Sequence, residues 1–191
     1  MKAALLALLI SLTDVSASEL LKATEFAGGK GAWQGPAAVV YLSPDGKEQS
    51  VAGPDTTAVL RIPLSKSRWS VLEHRVRIGK KESAASLTLE LQVSPDFQPL
   101  AESKEYMPED LREGGEYSRP ARVFSKAGLL IQLSDNGTWL YRPKALKAKS
   151  GWEAVTASFD GLKAKQNETL ALCLPPGDGH VDIKLVSFES R

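Results

Sequence analysis

The sequence predicts an all-β fold, a mainly antiparallel β-sandwich, and two observations lead to this prediction. Apolar and polar residues alternate with a period of two along most of the chain, as they do along strands that bury one face. Helical periodicity is nearly absent, and Gly, Pro, Asp and Asn separate the alternating runs. Many short strands without intervening helices are typical of two antiparallel sheets packed on each other.

The N-terminal segment, residues 1–17, is expected to be a signal peptide. Lys2 supplies a positive charge, an apolar stretch of ten residues follows, and Val15-Ser16-Ala17 offers small or β-branched residues for cleavage. The apolar stretch has about half the length of a membrane-spanning helix. We therefore expect an exported protein, periplasmic or extracellular, with one domain over residues 18–191 and no transmembrane segment after cleavage. An N-terminal helix of the core is the alternative.

Composition narrows the classes of function. A formal net charge of +1 argues against nucleic-acid binding, which needs a clustered basic excess. The single cysteine, Cys173, excludes an intramolecular disulfide framework, so core packing must hold an exported domain together. The usual short motifs of serine and metal-dependent hydrolases are missing, and the interpretation favours a protein without catalysis.

The clearest alternating runs give the order of the strands. Leu87, Leu89 and Leu91 point to one side of their strand, with Thr88 and Glu90 on the other. Similar runs cover residues 59–64, 72–78, 170–174 and 181–185. His74 falls on the apolar side of its run, which predicts an interior imidazole.

A hairpin is predicted residue by residue around Asn136-Gly137, a pair that favours a type I′ turn. With this loop, Ser134 opposes Trp139 and Leu133 opposes Leu140. One face then carries Leu129, Ile131, Leu133 and Leu140, which we assign to the core. The other carries Leu130, Gln132, Ser134, Trp139 and Tyr141, and its polar members suggest a solvent-facing surface.

Residues 95–120 interrupt the alternation and form an acidic insertion loop. The stretch carries seven acidic and three basic residues. Pro108 followed by two acids, and Gly114-Gly115 at the end, predict a short helical turn within it. Such a long connection is often functional, although a surface loop without a role is an equal alternative.

Segments near both ends resemble jelly-roll carbohydrate-binding modules with the galactose-binding-like fold. The resemblance lies in Leu20–Gly29 leading to Ala32-Trp33-Gln34-Gly35, in a strand that starts at Trp152, and in His180–Leu185 with its aspartate. It implies an antiparallel jelly-roll sandwich. It also implies a structural calcium ion, for which Glu25 and Asp182 are the corresponding ligands, although Lys184 departs from the family pattern.

Trp139 and Tyr141 are the candidate ligand-binding residues, with Gln132 as a hydrogen-bonding neighbour. Flat aromatic rings stack on sugar rings, and residues two apart on a strand lie about 6.5–7 Å from each other. The alternative is that both rings pack beneath the insertion or against a partner. The sequence thus predicts a carbohydrate-binding module with a glycan as its partner. Two alternatives stay open, a domain that binds a cell-envelope protein and a glycan-active hydrolase.

Overall fold

The computed structural model describes residues 19–21, 26–79, 83–99, 128–148, 151–163 and 167–190. The expected signal peptide, Glu25 and most of the acidic insertion, with its expected helical turn, lie outside these ranges. Within them, no helix has the length and apolarity to cross a bilayer.

Strands form nearly all of the regular structure in the described residues, and a 3₁₀ turn at Phe26–Gly28 is the exception. The strands are β1 Glu19–Leu21, β2 Ala38–Leu42, β3 Glu48–Gln49, β4 Thr57–Pro63, β5 Ser70–Arg77, β6 Ala84–Val93, β7 Gln98–Pro99, β8 Leu129–Asp135, β9 Thr138–Lys144, β10 Glu153–Asp160, β11 Asn167–Leu174, β12 Gly177–Asp178 and β13 His180–Ser190.

Two antiparallel sheets face each other. The larger has the order β10-β6-β13-β4-β2-β3, with β1 also paired to β13, and the smaller has the order β5-β11-β8-β9. Strands β7 and β12 form a separate short pair. Because sequence neighbours are distributed between the sheets, much of the pairing joins distant parts of the chain, such as β6 with β13. The prediction of an all-β antiparallel sandwich is confirmed.

The core lies between the two sheets and follows the alternation in the sequence. The inward residues of β6, Leu87, Leu89 and Leu91, are fully buried and meet the inward residues of β8 and β11 in one apolar cluster. Phe159 and Phe188 pack edge to face with ring centroids 6.3 Å apart. Since Cys173 is buried and forms no disulfide, this apolar burial supplies the main stabilisation.

The β8–β9 hairpin has the predicted register. Leu133 pairs with Leu140 and Ser134 with Trp139. Asn136 and Gly137 have φ values of 52° and 81°, as a type I′ turn requires. Leu129, Ile131 and Leu133 are buried in the core, and Leu140 packs against it, as expected.

The outer edge of β5 is covered by a short segment that precedes β2. Gln34 and Glu73 exchange two backbone hydrogen bonds of 2.8 Å. Gly35, at a φ of 129°, follows directly, and a Cβ atom there would lie 2.2 Å from the carbonyl oxygen of Val71. The absence of a side chain at this position therefore allows the segment to approach the strand so closely.

Candidate functional site

The smaller sheet has an outer face, formed by the side chains of β5, β11, β8 and β9 that point away from the core. The register aligns them in rows that run across the strands. One row is Glu73, Ala171, Gln132 and Tyr141. The next row is Arg75, Thr169, Ser134 and Trp139, in which Thr169 N donates to Ser134 Oγ at 2.7 Å. Neighbouring strands are about 4.8 Å apart, so each row spans about 14 Å from β5 to β9.

Burial divides the outer face into a closed end and an open end. At the closed end, Leu130, Ala171 and Cys173 are at most 1% exposed and form an apolar cluster of their own. Trp69, Val71 and Tyr141 pack against this cluster. At the open end, Arg75 is exposed and Trp139 is half-buried. The expectation of a solvent-facing surface therefore holds at the open end alone, because Leu130 and its neighbours are shielded.

The three residues singled out in the sequence lie together on this face. Trp139 and Tyr141 are both half-buried and stand in adjacent rows of β9. Gln132, beside Tyr141, is only 5% exposed. Cys173 Sγ donates to Gln132 Oε1 at 3.5 Å, whereas Gln132 Nε2 has no hydrogen-bond partner among the described residues. The accessible surface of these three residues thus comes from the aromatic pair.

A buried carboxylate fixes the turn that carries Trp139. Glu168 is 5% exposed, and its Oε2 accepts a hydrogen bond from Ser134 Oγ. Its Oε1 accepts from Asn136 N at 3.1 Å. Because these two partners flank the start of the turn, Glu168 holds the hairpin against β11.

Charged side chains lie on β5, at the opposite side of the outer face from Trp139. Glu73, Arg75 and Arg77 are exposed and alternate with inward residues along the strand. Their side chains form no ion pair or side-chain hydrogen bond with the residues that the structure describes. The open end therefore combines an aromatic ring on β9 with two guanidinium groups and one carboxylate on β5.

A groove of about 490 Å³ adjoins the closed end of the face. Its lining is mainly apolar and includes Pro36, Pro63, Leu64, Trp69 and Val71, together with Arg68. The indole Nε1 of Trp69 is buried without a hydrogen-bond partner in the described structure. The sequence alone does not reveal that Trp69 and Arg75 lie at this face, because their positions depend on the pairing of β5 with β11.

The residues around Asp182 do not fit a calcium site. Arg61 Nε and a terminal guanidinium nitrogen donate to the two oxygens of Asp182 at 2.8 and 2.9 Å, and Arg61 also pairs with Glu48. Burial alone would raise the pKa of Asp182, but hydrogen bonds from Arg61 and His180 outweigh it and keep that pKa below its usual value. The described residues contain no group of three or more His, Cys, Asp or Glu that suits a metal ion. The guanidinium therefore supplies the positive charge that the resemblance assigned to calcium, and Glu25 lies outside the described ranges.

The chain shares its fold with carbohydrate-binding modules. It superposes on the CBM22-1 xylan-binding domain of Xyn10C from Paenibacillus barcinonensis with a TM-score of 0.51 and 12% identity, covering 91% of this chain and 95% of that chain. It also superposes on part of a structure of Clostridium thermocellum xylanase 10B that holds CBM22-1 and GH10 modules complexed with xylohexaose, with a TM-score of 0.51 and 10% identity. In that pair, 91% of this chain and 28% of that chain are covered. No family model matches the sequence, and no curated protein matches it. The structural likeness confirms the resemblance at the level of the fold.

Proposed function

We propose that this protein is an exported, non-catalytic carbohydrate-binding module that holds a glycan on the outer face of the smaller sheet. The observation that carries the proposal is the pair Trp139 and Tyr141, which lie in adjacent rows of an edge strand and keep part of their surface exposed. Because residues two apart on a strand lie about 6.5–7 Å from each other, the two rings form one stacking surface at the end of the rows that cross the sheet. Gln132 lies beside Tyr141 as its cross-strand partner on β8.

The proposed absence of catalysis is supported by the hydrogen bonds that two carboxylates of the smaller sheet, Glu168 and Asp135, form within the protein. Glycoside hydrolysis needs two carboxylic acids at a set separation on either side of the scissile bond. Glu168 is occupied by Ser134 and Asn136, and Asp135 accepts from Lys163 N at 2.9 Å. Among the described residues of the outer face, this leaves Glu73 as the exposed carboxylate.

The experiment compares two tryptophans of similar exposure in the chain that starts at Ser18. Trp139 lies on the proposed face, whereas Trp152 precedes β10 of the other sheet and lies beneath Lys184 Nζ at 5.3 Å. We expect Trp139→Ala to weaken retention on immobilised polysaccharides about 10- to 100-fold, as the loss of a central aromatic contact does. Trp152→Ala is expected to leave retention unchanged.

Thermal melts of both variants separate binding from stability. A midpoint for Trp139→Ala within a few degrees of the native protein, with retention lost, supports the proposal. A large drop in the midpoint identifies Trp139 as a packing residue instead. Equal retention by both variants, or no retention of any polysaccharide by the native protein, contradicts the proposal.

A second candidate function is a domain that binds a cell-envelope protein. The apolar groove next to the closed end favours it, because Pro36, Pro63, Trp69 and Val71 present an apolar surface to a concave site. Substituting Pro36→Asp, an exposed groove residue outside the outer face, leaves glycan retention intact under the first proposal. Loss of a protein partner with full glycan retention assigns the groove to the second function.

A further inference from the structure

Arg75 stands at the far end of the row that contains Trp139. The register connects Arg75 to Thr169 on β11, then to Ser134 on β8, and finally to Trp139 on β9. Three strand spacings separate the two ends, about 14 Å. A glycan chain that crosses the strands with one ring on Trp139 therefore reaches Arg75 a few sugar units further along.

The hydroxyl of Ser134, in the middle of this row, is already used within the protein. Ser134 Oγ donates to Glu168 and accepts from Thr169 N, so the hydroxyl is engaged within the protein. Arg75, by contrast, is exposed, and its side chain has no partner among the described residues. The guanidinium is therefore the charged group that this row offers to a ligand.

A guanidinium group binds one kind of sugar substituent especially well. Its planar fork matches a carboxylate with two parallel hydrogen bonds, and such charge-assisted bonds are roughly twice as strong as neutral ones. Hydroxyl groups of neutral sugars are uncharged acceptors, so their hydrogen bonds to the guanidinium lack the opposite charge of a carboxylate. We infer that the glycan is anionic, with uronic acid residues, and that Arg75 binds one of their carboxylates; this inference rests on the proposed function of the face.

The neighbouring charges set the direction from which the carboxylate approaches. Glu73 and Arg77 lie on either side of Arg75, each about 6.5–7 Å away along β5. Glu73 repels an anionic group, whereas Arg77 attracts one. The carboxylate is therefore directed to the side of Arg75 that faces Arg77, in the fully open part of the outer face.

The test uses polysaccharides that differ in charge alone. The mature chain is titrated with polygalacturonate and with glucuronoxylan, each compared with its own carboxyl-reduced form at fixed ionic strength. The native protein is expected to bind the anionic form of at least one of the two at least 10-fold more tightly than the reduced form. Arg75→Gln removes this preference, and Arg75→Lys restores it only in part, because lysine keeps the charge but not the fork.

The matched control is Lys47→Gln, which removes one positive charge from the other sheet. Lys47 lies in the turn between β2 and β3, and its side chain is 79% exposed and paired with Asp45. We expect this variant to keep the full preference for the anionic form. If Arg75→Gln and Lys47→Gln weaken binding equally, the attraction is a general effect of net charge and the inference is overturned.

The outcomes distinguish this inference from the proposed function. Equal binding of anionic and reduced forms by the native protein, with both lost in Trp139→Ala, overturns the role of Arg75 and leaves the carbohydrate-binding face in place. Binding of no polysaccharide, or binding that is unaffected by Trp139→Ala, overturns the proposed function and the inference with it.

Discussion

Gly35 offers the sharpest test of how the edge of β5 is held. In Gly35→Ala, the new Cβ would lie 2.2 Å from the carbonyl oxygen of Val71 and 3.1 Å from Cα of Leu72, and both are backbone atoms of a paired strand. The segment must therefore move away from β5. The two backbone hydrogen bonds between Gln34 and Glu73 are then lost.

Gly46→Ala is the matched control. Gly46 also has a positive φ, 80°, but a Cβ there has no heavy atom within 4 Å. Placing alanine at positive φ costs about 1–2 kcal/mol by itself. Gly35→Ala has the same backbone cost and also loses two hydrogen bonds, each worth about 0.5–1.5 kcal/mol. The free energy of unfolding should therefore fall by about 2–5 kcal/mol in total.

The assay is thermal and urea unfolding of the chain that starts at Ser18. For a domain of this size, 1 kcal/mol corresponds to about 2–4 °C in Tm, so Gly35→Ala should melt about 2–12 °C below Gly46→Ala. Equal losses in the two variants would refute the reasoning, because they would mean that the segment moves without losing its contacts to β5.

Two further predictions concern ionisable groups. Burial lowers the pKa of His74, whose ring centroid lies 4.9 Å from that of Trp33 at an interplanar angle of 58°. The unfolded chain therefore binds a proton at this residue more readily than the folded protein does. The free energy of unfolding should therefore fall as the pH drops below about 6.5, and His74→Phe should flatten this dependence in urea unfolding between about pH 7.5 and 5. Arg61→Leu leaves Asp182 buried without its cation and should destabilise the protein by about 3 kcal/mol. This value is at the low end for breaking a buried ion pair, because 21% of the Arg61 side chain is exposed. The double variant with Asp182→Leu should recover most of this loss in chemical denaturation, and a double variant no more stable than the single one would contradict the argument. In the native protein, the lowered pKa of Asp182 makes this stabilisation complete above about pH 4, and it is lost as the pH falls further.

Local features of the sequence were sufficient to predict the β8–β9 hairpin. Asn136-Gly137 determines the turn type, the turn type determines the register, and the register assigns Leu133 to the core and Trp139 to the outer face. The alternation in β6 predicted its buried leucines in the same way. In both cases the information lies within a few residues along the chain.

Burial of the outer face could not be predicted in this way. Gln132 is polar and alternates with core residues, yet it is shielded, because burial of the second face depends on what else packs there. Asp182 is a further example. The sequence resemblance assigned it to calcium, whereas its partner is Arg61, which is 121 positions away along the chain.

The sequence by itself determined the fold class, the strands with their inward and outward faces, and the aromatic pair on β9. These follow from the period of two and from turn chemistry, which act between near neighbours. Only the tertiary structure decided that β5 lies three strands from β9, and so that Arg75 shares a row with Trp139. The order of strands in a sheet is set by how the whole set of apolar faces closes over one core, a property of the complete chain.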